Sequence, residues 1–203
     1  MKQLQPLQAY LQQSAYIDFQ HASLQKLVTS FRQETELERI KAAFEYVRDE
    51  IRHSMDIRNE EVTRRASEVL EKGHGICYAK SHLLAALLRG MGIPSGITYQ
   101  RLTLSDTPED GYCIHALNTV YVRELGKWIR LDARGNKEGI DAQFSTEEEK
   151  LAFPIRPEYD ERDYGINFHE PHPAIIETLQ TYTNSIEMCQ VGLPEHLQEE
   201  GER

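Results

Sequence analysis

The chain is short of sulfur, of tryptophan and of positive charge, and each shortage removes a class of protein. It has three cysteines, one tryptophan, and 23 lysines and arginines against 33 aspartates and glutamates, for a net charge of −10. Three cysteines (Cys77, Cys113 and Cys189) are too few, and odd in number, for a disulfide framework. A reducing cytoplasm is the expected setting. An acidic chain is a poor fit to a nucleic-acid backbone or to an anionic membrane surface. No apolar run approaches the ~18 residues of a membrane span. The opening Met1-Lys2-Gln3-Leu4-Gln5-Pro6 lacks the apolar segment of a secretory leader. Internal repeats are absent. What remains is 203 residues, 39% hydrophobic, enough for one domain over 1–203 with a buried core.

The most informative stretch is Gly73 to Gly92, GHGICYAKSHLLAALLRGMG. Leu83, Leu84, Leu87 and Leu88 recur at helical spacing and form one apolar stripe. Gly90, Gly92 and Pro94 end the pattern. Cys77 therefore falls at or just before the first turn of a buried helix. Unsatisfied N–H groups and the dipole at that end favour negative charge, and so a thiolate. Gly73 and Gly75 are expected to allow a sharp turn and the close approach of a substrate.

Upstream, residues 1–33 are glutamine-rich and read as a loose or extended lead-in with a short helix. Residues 34–52 form a stronger helix, with Leu37, Ile40, Ala43, Phe44, Val47 and Ile51 on one face and a capping box from Thr35 to Glu38. His53 to Glu61 reads as a polar loop, and 66–70 as a short helix. Downstream, the period changes from about 3.6 to 2. Strands are expected at 97–104, 112–124 and 128–133, joined by short turns and hence antiparallel. Prolines at 154, 157, 171 and 173 keep 145–172 irregular, with a short helix at 145–149. Helical spacing returns over 173–189, and the charged tail from Glu195 is expected to fray. Helices first and sheet second is the α+β pattern.

His115 lies on the second strand and Asp132 near the end of the third. Adjacent antiparallel strands bring such residues side by side, and a helix packed against them can aim its N-terminal thiol at the imidazole. The set reads as nucleophile, base and orienting carboxylate. Other readings compete. His74, Cys77, Cys113 and His115 could offer zinc two sulfurs and two nitrogens, although the spacing fits no usual finger. His169 and His172 lie in a proline-rich segment and read as polar surface. Cys113 reads as a packed thiol beside the site, and Cys189, on the apolar side of the last helix, as a core or surface bystander. Neither a metal nor a cofactor is called for.

Three motifs in order, GHGICYAKSHLLAALLRGMGIPSG, IHALNTVYV and WIRLDARGN, resemble the transglutaminase-like superfamily of cysteine enzymes. The helix ERIKAAFEYVRDEIRHS is similar to one that commonly precedes that core. The resemblance covers roughly residues 36–140. It implies a papain-like α+β fold, with N-terminal helices packed on an antiparallel sheet and a C-terminal helix over an extension at 145–203. It implies Cys77, His115 and Asp132 as catalytic residues acting on a protein or peptide amide through a thioester. The Cys77 backbone N–H is the expected oxyanion donor. The second donor in animal transglutaminases is an indole upstream of the cysteine, whereas Trp128, the single tryptophan here, lies downstream. A cysteine-dependent amide hydrolase, a crosslinking acyltransferase and a non-catalytic binding module all share such a fold. The short chain tilts the expectation towards hydrolysis. Loops at 54–64, 105–111 and 134–142 are expected to shape the groove.

Overall fold

A computed structural model describes residues 1–198. In chain order the elements are β1 (Lys2–Gln3), α1 (Ala22–Val28), α2 (Glu36–Asp49), β2 (Arg52–His53), α3 (Ala66–Lys72) and β3 (His74–Gly75). They continue with α4 (Cys77–Gly90), β4 (Ser95–Thr103), β5 (Tyr112–Val122), β6 (Lys127–Leu131), β7 (Arg162–Asp163), β8 (Ile166–Asn167) and α5 (Pro173–Thr181). The main sheet is antiparallel in the order β6-β5-β4-β7. This is the expected α+β arrangement, with β7 added to the three expected strands of the main sheet and two further two-stranded sheets, β1-β8 and β2-β3, that the sequence did not show.

Helix α4 is the centre of the molecule. It packs on α1, α2 and α3 on one side and on β4 and β5 on the other. The single leucine stripe read from the sequence understates this, because every residue from Tyr78 to Arg89 is buried. Ala79, Ala85 and Ala86 let the neighbouring layers come close, and the polar residues each hold a backbone carbonyl. Lys80 Nζ donates to the carbonyls of Ile51 and Arg48. His82 Nδ1 lies 2.7 Å from the Arg64 carbonyl. Arg89 donates to the carbonyls of Ser95, Gln12 and His169. Buried polar groups are tolerable when satisfied in this way.

Helix α2 begins as its capping signal dictates. Thr35 Oγ1 accepts from the Glu38 N–H, and Glu38 reaches back to the Thr35 N–H. Ile40, Ala43, Phe44 and Val47 are its buried face. Strand β4 is buried along both faces, since α4 covers one and the chain around β8 the other. That second cover is tight at Gly96, where a methyl would lie 2.0 Å from Asn167 Oδ1.

Several expectations are corrected. The lead-in is packed, with Tyr10 and Ile17 fully buried and the Tyr10 hydroxyl donating to the Asn167 carbonyl at 2.7 Å. The segment after α2 is not a loop from its start, because β2 pairs in parallel with β3. No helix forms at 145–149; Ser145 Oγ accepts from the N–H groups of Glu147 and Glu148 in a bend. The helix expected over 173–189 breaks at Tyr182, and Asn184 caps a separate turn that opens into a π-type turn at Met188–Gly192. Residues 195–198 do not fray: Leu197 is buried, and its N–H donates to the Tyr164 hydroxyl. The rest of the expected fraying tail lies outside the described residues. Among the described residues, no helix is long and apolar enough to cross a membrane.

Candidate active site

Cys77 is the first residue of α4, with Ile76 as its N-cap. Of the two roles expected for the glycines before it, the turn is present and the close approach to a cleft is not. Gly73 has φ +72 and ends α3 in the left-handed conformation, which is the usual work of glycine at a helix C-terminus. Gly75 makes room for Thr63 and Ala79 beside it, and neither glycine borders the cleft described below.

Two further hydrogen bonds set the distance between α4 and β5. The Tyr78 hydroxyl donates to the Ile114 carbonyl at 2.8 Å, one residue along the chain on each side from Cys77 and His115. Farther along, Asn118 Nδ2 donates to the Ser81 carbonyl at 2.9 Å. The result is that Cys77 and His115 line the same cleft, with the sulfur near enough to favour a charged imidazole.

The other side of the ring is held as firmly. His115 Nε2 lies 2.8 Å from Asp132 Oδ2, which leaves Nδ1 as the nitrogen available to the thiol. Asp132 follows the last residue of β6, whose ladder with β5 ends at the Asn118–Leu131 pair. It is 1% exposed and also accepts the N–H groups of Arg134 and Ala152, at 3.2 and 3.1 Å. Phe153 meets the His115 ring edge-on, centroids 5.1 Å apart.

The electrostatics follow from these contacts. Burial disfavours a charged His115, but the Asp132 carboxylate and the Cys77 sulfur outweigh it and hold the imidazole well above its ordinary pKa. Burial works against the Asp132 carboxylate too, yet His115 and the two N–H donors keep it below the usual range. Burial pushes the thiols of Cys113 and Cys189 up to about 12 each.

Cys77 and His115 line a cleft of about 570 Å³, with Asp132 buried behind the ring. All three loops expected to shape it contribute: His53 and Met55 border the first, Leu104 to Asp106 the second, Arg134 and Gly139 the third. The sequence reading missed the wall formed by Ala152, Phe153, Pro154 and Arg156, and the contribution of Leu193. All three cysteines line the cleft, and Cys189 also packs against the core. Arg134 and Lys137 both bind Asp56 and so join the first and third loops.

A family profile for the transglutaminase-like superfamily matches residues 25–133, more than half of the chain. The chain belongs to the transglutaminase-like superfamily. Curated protein sequences give no match. Among solved structures, a candidate cysteine protease from Cytophaga hutchinsonii is 22% identical with a TM-score of 0.52, covering 63% of this chain and 42% of that one. The periplasmic domain of TgpA from Pseudomonas aeruginosa is 16% identical with a TM-score of 0.47, covering 64% and 48%. At these identities the likeness is one of fold, and this chain spans less than half the length of either structure.

Of the remaining sequence candidates, His74 and His172 do not line the cleft. His74 is turned to Ser54 Oγ at 3.0 Å and towards Glu61. No cluster of three or more His, Cys, Asp or Glu residues among the described residues is placed to hold a metal. His172 caps α5 by accepting the Ala174 N–H. Trp128 Nε1 donates to Gln3 Oε1, and Trp128 does not line the cleft. Tyr78 and Asn118 escaped the sequence reading, because a tyrosine in an apolar helix and an asparagine in a strand give no periodic signal of their bonding.

Proposed function

We propose that the protein is a cysteine-dependent amide hydrolase acting on a protein or peptide. The observation that carries the proposal is the His115–Asp132 hydrogen bond at 2.8 Å, with Cys77 and His115 lining one cleft large enough for a side chain and its flanking backbone. In this reading Cys77 is the nucleophile, His115 the general acid and base, and Asp132 the group that orients and charges the ring. The Cys77 sulfur bonds to the carbonyl carbon, and the carbonyl pair moves onto oxygen near the free Cys77 N–H. The C–N bond then breaks as His115 gives its proton to the departing amine. His115 next removes a proton from water, which attacks the thioester, and the sulfur leaves to restore the resting pair.

Hydrolysis and transfer to an amine share every step up to the thioester. An unfolded casein substrate separates them. New peptide N-termini report main-chain hydrolysis, whereas incorporation of a fluorescent primary amine with ammonia release reports crosslinking chemistry. The reading predicts new N-termini, lost in Cys77→Ala and His115→Ala. Undiminished product in Cys77→Ala overturns it.

A further inference from the structure

A thioester pathway creates an oxyanion that needs converging donors, and α4 supplies one of them, the Cys77 N–H. Nearly every side-chain donor lining the cleft is already spent. Arg134 is bound at both Nη atoms by Asp56, at 2.5 and 2.8 Å. Arg156 is held by Glu161. Thr103 Oγ1 donates to the Ser105 carbonyl, Ser105 Oγ to Asp110, and His115 holds Asp132.

His53 differs from all of these. Its Nδ1 is enclosed without a hydrogen-bond partner, yet the ring borders the cleft. The parallel pairing of β2 with β3 sets His53 opposite Gly75, two residues before Cys77. The enclosed, unpartnered Nδ1 bears on which nitrogen carries the proton, and the cleft-lining position bears on what the other nitrogen can reach.

We infer that His53 is the second oxyanion donor, its imidazole N–H closing with the Cys77 N–H on the substrate carbonyl oxygen. The inference rests on the acyl-transfer reading above. Burial, and then the neighbouring Arg134 cation, push the His53 pKa down to about 3, so the ring is neutral at working pH. A neutral ring has one N–H. An enclosed N–H with no acceptor is a rare and costly arrangement, so the proton belongs on Nε2 rather than on the enclosed Nδ1. A neutral imidazole polarises a carbonyl without competing as an acid. His53 keeps its proton throughout, and only its hydrogen bond strengthens as charge builds on the oxygen.

Two reagents separate this role from the reactivity of the thiol. Iodoacetamide alkylates Cys77 at a saturated carbon and forms no oxyanion, whereas p-nitrophenyl acetate acylates it through one. In His53→Ala, acylation should fall by about 10²–10³-fold with alkylation of Cys77 unchanged. His53→Gln restores an N–H and should recover part of the loss. His53→Phe keeps a ring in place and should show the same loss if the alanine variant does not fold. Unchanged acylation in folded His53→Phe overturns the inference. A parallel fall in alkylation also overturns it, since His53 would then act on the thiol. If wild-type Cys77 is not alkylated preferentially, the acyl-transfer reading itself has failed, and that failure is visible before any His53 variant is made.

Discussion

At the scale of single residues, the site depends on one ring held from both sides. Asp132 is buried and takes three hydrogen bonds, so Asp132→Asn should leave the carboxamide in place while removing the charge. His115 has a raised pKa, so its charged form persists at neutral pH and is lost only as the pH rises through that raised value. Hydrolysis, which needs the imidazolium to protonate the leaving amine, should therefore decline on the alkaline side well above pH 6.5. Asp132→Asn should move that decline towards 6.5; a pH–rate profile with an unmoved alkaline limb would contradict the assignment. Tyr78→Phe removes the bond to Ile114. It should cost about 1 kcal/mol of stability and slow alkylation of Cys77, measured by denaturant melts and labelling rates. The three principal residues were legible because their chemistry is rare and their order distinctive. His53 was not, because its place at the cleft follows from the pairing of β2 with β3, which only coordinates reveal.

At the scale of elements, α4 carries both the centre of the fold and the proposed nucleophile. Leu84 is fully buried, and Leu84→Ala should cost about 2–5 kcal/mol in a urea melt. A cost under 1 kcal/mol would mean that the layers around α4 are looser than described. Gly96→Ala forces a methyl against Asn167, Phe168 and Thr119. Overpacking there should destabilise by roughly 1–3 kcal/mol. Helices α2 and α4 and strands β4, β5 and β6 were readable because period and capping are local properties. The two-residue strands β2, β3 and β7 were not, since pairs so short exist only through their tertiary partners. The break in the C-terminal helix at Tyr182 escaped for a similar reason: apolar spacing continued across it, and only the Asn184 cap marks the restart.

At the scale of the whole molecule, stability should be lost in acid. Burial lowers the pKa of His82 to about 4 and that of His53 to about 3, against 6.5 for each in an unfolded chain. Between these values the unfolded chain binds more protons, so stability falls as the pH drops below 6.5. Asp132 and Glu161, both lowered, add to the loss with the same sign farther down. His115, with its raised pKa, contributes fully below 6.5 and does not offset the fall. Thermal melts should show the midpoint dropping from pH 6.5 to 4, and less steeply in His82→Gln; a flat profile would contradict these protonation states. The cleft was half legible: three of its loops were marked by turn residues, while the wall at 152–156 and Cys189 arrives from chain too irregular to place from sequence. The central claim is that Cys77, alone of the three thiols in that cleft, is activated by His115. Competitive iodoacetamide labelling at neutral pH, read by mass spectrometry at each cysteine, tests it most directly. The account predicts that Cys77 is modified much faster than Cys113 and Cys189, and that His115→Ala erases the difference; equal rates at all three in the wild type would contradict it.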